Sequence, residues 1–326
     1  MSAVNTVTGT IDSSELGRTL SHEHLTGGAA AMERVPGVFD LDEGVRRRVE
    51  ALRRARNVGV DSMIDLTPLD LGRQMPLFLR VAASDHGTNI VCATGVYRWV
   101  PFYLFRRDID EVASIFLHDI EQGIDGTSVR AGIIKLAWDM EYRLTAEGPA
   151  AEGMPRAGLE RTARAAARAA KAGGVPISCH TLAADRLGLP LMDIFEDEGV
   201  DPAAVTIGHS NDSTDIEYVK SIAARGFNVG LDRFGAARGE EEMARRAQIA
   251  LDLAQAGYAG QTSLGHDASP YYRFSSNVPE NPDCWTAVNT IEVPWLLEHG
   301  ATQADVDAMQ ITSIRRTFEA AAQMKT

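Results

Sequence analysis

Cysteine is scarce in this chain: there are three in 326 residues, Cys92, Cys179 and Cys284, odd in number and far apart. That excludes a readable disulfide framework and a CxxC metal knuckle. Apolar runs are short as well, none approaching the roughly 20 residues that cross a bilayer, so no membrane partner is expected. The opening segment lacks the basic start and apolar core of a signal peptide, and a reducing, cytoplasmic location is the resulting expectation. Positive charge is in deficit, with 32 Lys plus Arg against 45 Asp plus Glu and a net charge of −13, which argues against nucleic acid as a partner. No GxSxG elbow, GxGxxG or P-loop pattern occurs, so neither a serine nucleophile nor a nucleotide is called for. No low-complexity stretch or Pro/Gly-rich linker divides the chain, and residues 1–326 read as a single domain.

What the chain does have is repetition of pattern. Short apolar runs at 19–21, 62–66, 90–93, 132–136, 175–179, 205–207, 227–231 and 262–264 alternate with longer amphipathic stretches. Helical patterns fall at 41–58, 110–122, 159–172, 185–198, 214–224 and 240–256, with further helix from 291 to 324. Asp40 with Glu43 three residues later is a capping box for the first of these. The Ala/Arg-rich stretch 159–172 is expected on the surface. Eight strands alternating with helices read as βα units and a parallel sheet. The length fits a (β/α)8 TIM barrel with extra C-terminal helices and an elaborated loop after strand 8.

Polar groups follow these runs with regularity. The first ends in His22, Glu23 and His24, the fourth contains Lys135, the fifth ends in His180, and the sixth in His209. The seventh ends in Asp232 and Arg233, and the eighth in His266 and Asp267. Polar groups at the C-terminal ends of parallel strands converge on the face where barrel active sites form. His22 and His24, two apart on a strand, point to the same side and make an obvious metal pair, which His180, His209 and Asp267 can complete. His266 alternates away from Asp267, and His86, His118 and His299 fall on helical patterns.

Lys135 lies in GIIKLAW (132–138), among buried neighbours, where an unpaired ammonium is costly. Two readings stand. Either it is ion-paired to Asp267 or Asp65, or it is a neutral amine that has added carbon dioxide, giving a carbamate able to bridge two cations.

The ordered residues resemble the amidohydrolase superfamily, in its phosphotriesterase-related branch, along essentially the whole chain: LSHEHL (20–25), Lys135, His180, Gly208 with His209, and His266 with Asp267. The segments GVY (95–97), PFY (101–103), IDE (109–111), HDI (118–120) and GLDRFG (230–235) look most like the phosphotriesterase-like lactonases. The resemblance implies two divalent metal ions, zinc, cobalt, manganese or iron. It puts His22, His24 and Asp267 on the more buried ion and His180 and His209 on the more exposed one, bridged by N6-carboxylated Lys135 and a nucleophilic hydroxide. Asp267 would take the proton, and Tyr97 and Arg233 match residues lining the lactonase pocket. A homodimer is also implied.

The chain departs from the common lactonase pattern at Trp138, Asp139, Met140 and Glu141, at residues 268–272, and at Phe234, where tyrosine is frequent. Trp138 is either a pocket wall or helix–barrel packing. Phe234, Tyr271 and Tyr272 are candidates for the substrate pocket, and Arg233 either orients substrate or pairs with a carboxylate such as Asp232. The segment 268–290, with Tyr271, Tyr272, Phe274, Pro279, Pro282 and Trp285, is either a lid for an apolar acyl or aryl group or a loop packed on the barrel. The expected function is a binuclear metal-dependent hydrolase of lactones, including N-acyl homoserine lactones, with weaker phosphotriesterase activity. The alternatives are a phosphotriesterase proper, a hydrolase of another carboxylic ester or amide, and a non-catalytic binding barrel.

Overall fold

The computed structural model describes residues 2–26, 40–85, 87–98, 100–101, 104, 107–139, 155–236, 239–270 and 280–325. Among them a hairpin, β1 (Ala3–Thr6) and β2 (Gly9–Asp12), precedes eight parallel strands. These are β3 (Thr19–Glu23), β4 (Ser62–Asp65), β5 (Asn89–Gly95), β6 (Ile133–Trp138), β7 (Ile177–Thr181), β8 (Val205–Ile207), β9 (Asn228–Leu231) and β10 (Thr262–Leu264). They pair in chain order, so every crossover is a βα step, as in a (β/α)8 barrel. Across the seam between the edge strands, Ser21 Oγ donates to Leu264 O at 2.9 Å. Just beyond it, Asp267 N–H donates to His22 O and His24 N–H to Ala268 O, both at 3.0 Å.

Around the sheet lie α1 (Leu41–Asn57), α2 (Met75–Ser84), α3 (Ile109–Glu121), α4 (Pro155–Gly173), α5 (Gly188–Asp197), α6 (Ile216–Ala224) and α7 (Glu240–Gln255). The tail adds α8 (Val293–Glu298), α9 (Gln303–Asp307) and α10 (Ser313–Met324). Asp40 caps α1 by accepting the Glu43 N–H at 3.1 Å. Among the described residues no helix is long and apolar enough to cross a membrane.

Alternation along each strand separates two apolar layers. Ile64, Val91, Ala93 and Ile133 face the barrel axis, where Val4 of the hairpin and Ile314 and Phe318 of α10 close the floor. Met63, Ile90, Cys92, Ile134, Leu136 and Trp138 face the helices. All three cysteines are buried and free. One expectation is corrected: the Ala/Arg-rich helix α4 is not a surface helix. Ala163, Ala166, Ala167 and Ala170 are fully buried, because alanine lets neighbouring helices approach closely. Its arginines reach outward, Arg164 to Asp197 at 2.6 Å and Arg168 to Asp110 at 2.7 Å.

Candidate metal centre

Plain alternation places three polar residues inside the barrel mouth. On β6, Lys135 shares the inward face with Ile133; on β7, His180 faces opposite to Ile177 and Cys179. Asp232 follows β9 in the same sense. His22 and His24 need more, since Leu20 packs outward with Met63. A register shift between Leu20 and Glu23 against β4 inserts one residue, and this β-bulge turns both imidazoles inward and Glu23 outward. His209 and Asp267 are turned by left-handed backbone, with φ of +60° and +52°. Such conformations cost about 1–3 kcal/mol each in non-glycine residues and collect at functional sites.

The four histidines converge, and the far side of each ring is tied down. His22 Nδ1 lies 2.7 Å from Asp232 Oδ2, and His209 Nδ1 lies 2.8 Å from Asp232 Oδ1, which also accepts the His209 N–H at 2.7 Å. His180 Nε2 lies 2.8 Å from Asp139 Oδ2. His24 Nδ1 lies 2.8 Å from Thr67 Oγ1, whose own proton goes to Thr26 O at 3.1 Å. Each outer nitrogen is therefore a donor, and each inner nitrogen is left with a lone pair. Room for Asp232 is made by Gly208, where a Cβ would meet Asp232 Oδ2 and Cys179 O, each at 2.8 Å.

Those inner nitrogens face other acceptors. His209 Nε2 and His180 Nδ1 are 2.7 Å apart, and His24 Nε2 is 3.0 Å from Asp267 Oδ1. His22 Nε2 is 3.4 Å from the same oxygen. Two acceptors at these distances require a positive charge between them, which a proton or a metal ion can supply. The donor set thus fits cations at two places, one between His180 and His209 and one among His22, His24 and Asp267. His22, His209 and Asp232 also cluster closely enough to ligate, but Asp232 spends both oxygens on imidazole protons and acts as the orienting group.

Lys135, wholly buried, touches His22 Nε2 at 3.1 Å, and no carboxylate among the described residues pairs with it. Asp65 instead accepts the N–H groups of Leu25 and Thr67 at 2.5 and 2.9 Å. Burial pushes the Lys135 ammonium down to about 8 against the pull of Asp267 and Asp232. It also takes His22 down to about 3, helped by Lys135, and His180 to about 3, helped by His209, so both rings are neutral near pH 7 as metal ligands must be. Burial would raise the carboxyls of Asp232 and Asp267, but the imidazoles around them hold both well below the usual range.

Around this centre, Tyr97 Oη lies 3.4 Å from His180 Nδ1, and the Tyr97 N–H donates to Asp70 Oδ2 at 2.8 Å. Arg233 Nη1 lies 2.5 Å from Asp267 Oδ2 and its Nε 3.3 Å from Asp212 Oδ2, so its carboxylate partners are these two and not Asp232. Phe234 lines a cavity of about 640 Å³ that borders Asp267. Trp138 does not reach it: the ring is fully buried on the helix side of β6 with Ile134 and Leu136, because its place in the strand is out of phase with Lys135. Trp285 is buried too, its Nε1–H donating to Ala268 O at 3.0 Å. Asp283 pairs with Arg54 and Glu280 with Arg47, so residues 280–287 are fastened to α1. His266 is a core residue, with Nδ1 2.6 Å from Glu23 Oε1 and Nε2 accepting the Val288 N–H at 2.9 Å. Tyr271, Tyr272, Phe274, Pro279, Phe102, Tyr103, Met140, Glu141 and His86 lie outside the described residues.

The orienting roles of Asp232, Asp139 and Thr67 were not readable from the sequence. Their one signal is position: each directly follows a barrel strand or lies within two residues of its end.

Comparison with known proteins agrees with this geometry. The model of the phosphotriesterase family matches residues 2–318. A phosphotriesterase homology protein of Mycobacterium tuberculosis is 37% identical over 334 residues, covering 98% of each chain. An aryldialkylphosphatase of Saccharolobus solfataricus is 34% identical over 307 residues, 90% of this chain and 92% of the relative. An N-acetyltaurine hydrolase of Danio rerio is 23% identical over 353 residues, 96% of this chain and 97% of the relative. With the family's model spanning nearly every residue and two relatives above 30% identity over at least nine-tenths of their length, the chain belongs to the phosphotriesterase family.

Proposed function

We propose that this chain is a metal-dependent hydrolase whose main substrates are lactones, N-acyl homoserine lactones among them, with phosphotriesters as weaker ones. The observation that carries the reading is the inward convergence of four imidazole lone pairs, those of His22 and His24 beside Asp267 and Lys135 and those of His180 and His209 on each other, each ring locked from behind. His22, His24 and Asp267 would hold one divalent ion and His180 and His209 the other, zinc being the first choice for imidazole and carboxylate donors and cobalt, manganese or iron the alternatives. Lys135 as an amine is a donor among acceptors; carboxylation of Nζ would make it an anion able to serve both ions. When bound, such ions lower the pKa of water toward neutrality and polarise a carbonyl or phosphoryl oxygen.

The chain's own groups do the rest. Asp267, held ionised beside Arg233, accepts the proton released as water attacks. Arg233 keeps that carboxylate oriented. Burial raises the Tyr97 phenol, so its hydroxyl stays protonated and donates a hydrogen bond to the substrate's carbonyl or leaving oxygen. The cavity beside Asp267, walled by Phe234, Met243 and Ala287, suits an apolar acyl chain. Residues 1–326 act in this reading as one domain of a cytoplasmic homodimer.

Steady-state assays of the metal-reconstituted chain on lactones, aryl dialkyl phosphates and N-acyl amides test the proposal. The expected order of kcat/KM is lactone first, with activity lost on chelation. A higher value for the triester, consistent with the relative named aryldialkylphosphatase, would reverse the assignment. Turnover of amides alone would favour the chemistry named for the N-acetyltaurine hydrolase relative.

A further inference from the structure

The cavity beside Asp267 has an acidic wall that the hydrolytic chemistry leaves unused. Glu292 ends the π-helical turn Val288–Glu292 and lines the cavity, yet the residue is only 1% exposed. Its Oε2 has no hydrogen-bond partner, and no basic side chain among the described residues forms an ion pair with it. The imidazole of His266 cannot serve, since it gives its proton to Glu23 and accepts the Val288 N–H. Asp283 on the same cavity is already matched by Arg54, and Glu240 adds a further carboxylate. Among the described residues, no lysine, arginine or histidine lines the space.

A carboxyl taken out of water without a partner is costly, and a group that supplies the missing donors or charge recovers that cost on binding. Burial accordingly raises the Glu292 carboxyl above its ordinary range. π-Turns such as the one that carries it occur often at functional sites. An anionic arm would be repelled by this wall. A neutral hydroxyl would supply a hydrogen bond but no charge, whereas an ammonium would supply both. We propose that, among substrates whose apolar arm fills this cavity, it favours those whose arm ends in a protonated amine, with Glu292 at the end of the apolar walls as the specificity-determining residue that receives it. This rests on the hydrolase reading above and names the substrate class of that same site.

Two measurements on the metal-loaded full chain test it. The first is calorimetric binding of unreactive hexylamine and 1-hexanol, which needs no turnover. Hexylamine should bind about tenfold or more tightly than hexanol, the range of a charge-assisted hydrogen bond. In Glu292→Gln the advantage of the amine should fall to near unity, and the variant should melt at or above the wild-type temperature because a lone buried carboxyl is gone. The second is the kcat/KM ratio for an ω-aminoacyl ester over its methyl-terminated counterpart, expected near tenfold in the wild type and near one in Glu292→Gln. Equal binding of hexylamine and hexanol by the wild type, or an amine preference that survives the substitution, would overturn the proposal. If esters are hydrolysed without amine preference, the proposal falls and the hydrolase reading stands. If amine binding behaves as expected but no ester is hydrolysed, the hydrolase reading falls and the preference of the cavity stands.

Discussion

Asp232→Asn is the most informative single substitution, because one carboxylate orients two imidazoles. Asp232 receives three protons, from His22 Nδ1 at 2.7 Å, His209 Nδ1 at 2.8 Å and the His209 N–H at 2.7 Å. An amide of the same shape keeps one acceptor oxygen and puts an NH2 where the other stood, so one imidazole meets a donor with a donor. That ring must either turn or move its proton to Nε2, which removes the lone pair facing Lys135 for His22 or His180 for His209. Loss of an orienting partner of this kind typically weakens metal binding ~10–100-fold. Only one of the two rings loses its acceptor, so one equivalent should weaken by ~10–100-fold, about 1.4–2.7 kcal/mol, while the other ring keeps a neutral acceptor in place of a charged one. Competition against a chromogenic chelator, titrated to separate first and second equivalents, measures it. The gap between metal-loaded and metal-free melting temperatures should shrink in parallel. Two equivalents bound with wild-type affinity would refute the reasoning. Asp139→Asn, which frees only His180, should weaken a single equivalent.

Four further outcomes are expected. Lys135→Ala should lose metal and nearly all activity, with partial rescue by bicarbonate or a short carboxylic acid; an unmodified Lys135 in a fully metallated, active enzyme would contradict the bridging role. Tyr97→Phe should lower lactone turnover while metal content stays unchanged, and metal loss would instead mark Tyr97 as structural. Gly95→Ala should destabilise the fold by about 3–5 kcal/mol in denaturant titrations, since the position has φ +118° and its Cβ would fall 2.0 Å from Lys135 O. Asp70, pushed up to about 6 by burial, binds its proton more tightly folded than unfolded, so its contribution to stability is greatest at low pH and is lost as pH rises through 6. Asp70→Asn should flatten that part of the stability profile between about pH 4 and 6, and an unchanged slope would show that another group sets it.

The barrel strands are legible in sequence because inward and outward faces of a buried parallel strand still alternate in chemistry, as Ile133, Lys135 and Ala137 do against Ile134, Leu136 and Trp138. The same alternation, applied strictly, would have set Trp138 apart from Lys135 and would have sent His22 to the helix side with Leu20. Only the bulge in β3 corrects the second, and an inserted residue leaves no periodic trace. The left-handed turns at His209 and Asp267 are equally silent, since neither is glycine. Helix α2, MPLFLRVAAS, goes unread because its nearly unbroken apolar run lacks a polar stripe. The hairpin β1–β2 is short, and it acquires its meaning only where Val4 joins Ile314 in the barrel floor. Asp232, Asp139 and Thr67 act through partners 23 to 210 positions away, a relation that spacing cannot carry.

The seam of the barrel has a kinetic consequence. His24 and Asp267 stand 243 positions apart, just past the ends of the first and last strands of the ring, and touch where the backbone closes it. Closing a loop that long is the entropically slowest kind of contact and forms late in folding. An ion gripped by His22, His24 and Asp267 would therefore act as a clasp on the final step, slowing the opening of the ring far more than it speeds its assembly. Metal bound there would lengthen the lifetime of the native barrel, and the proposed reaction centre would double as the latch that sets how long the protein endures.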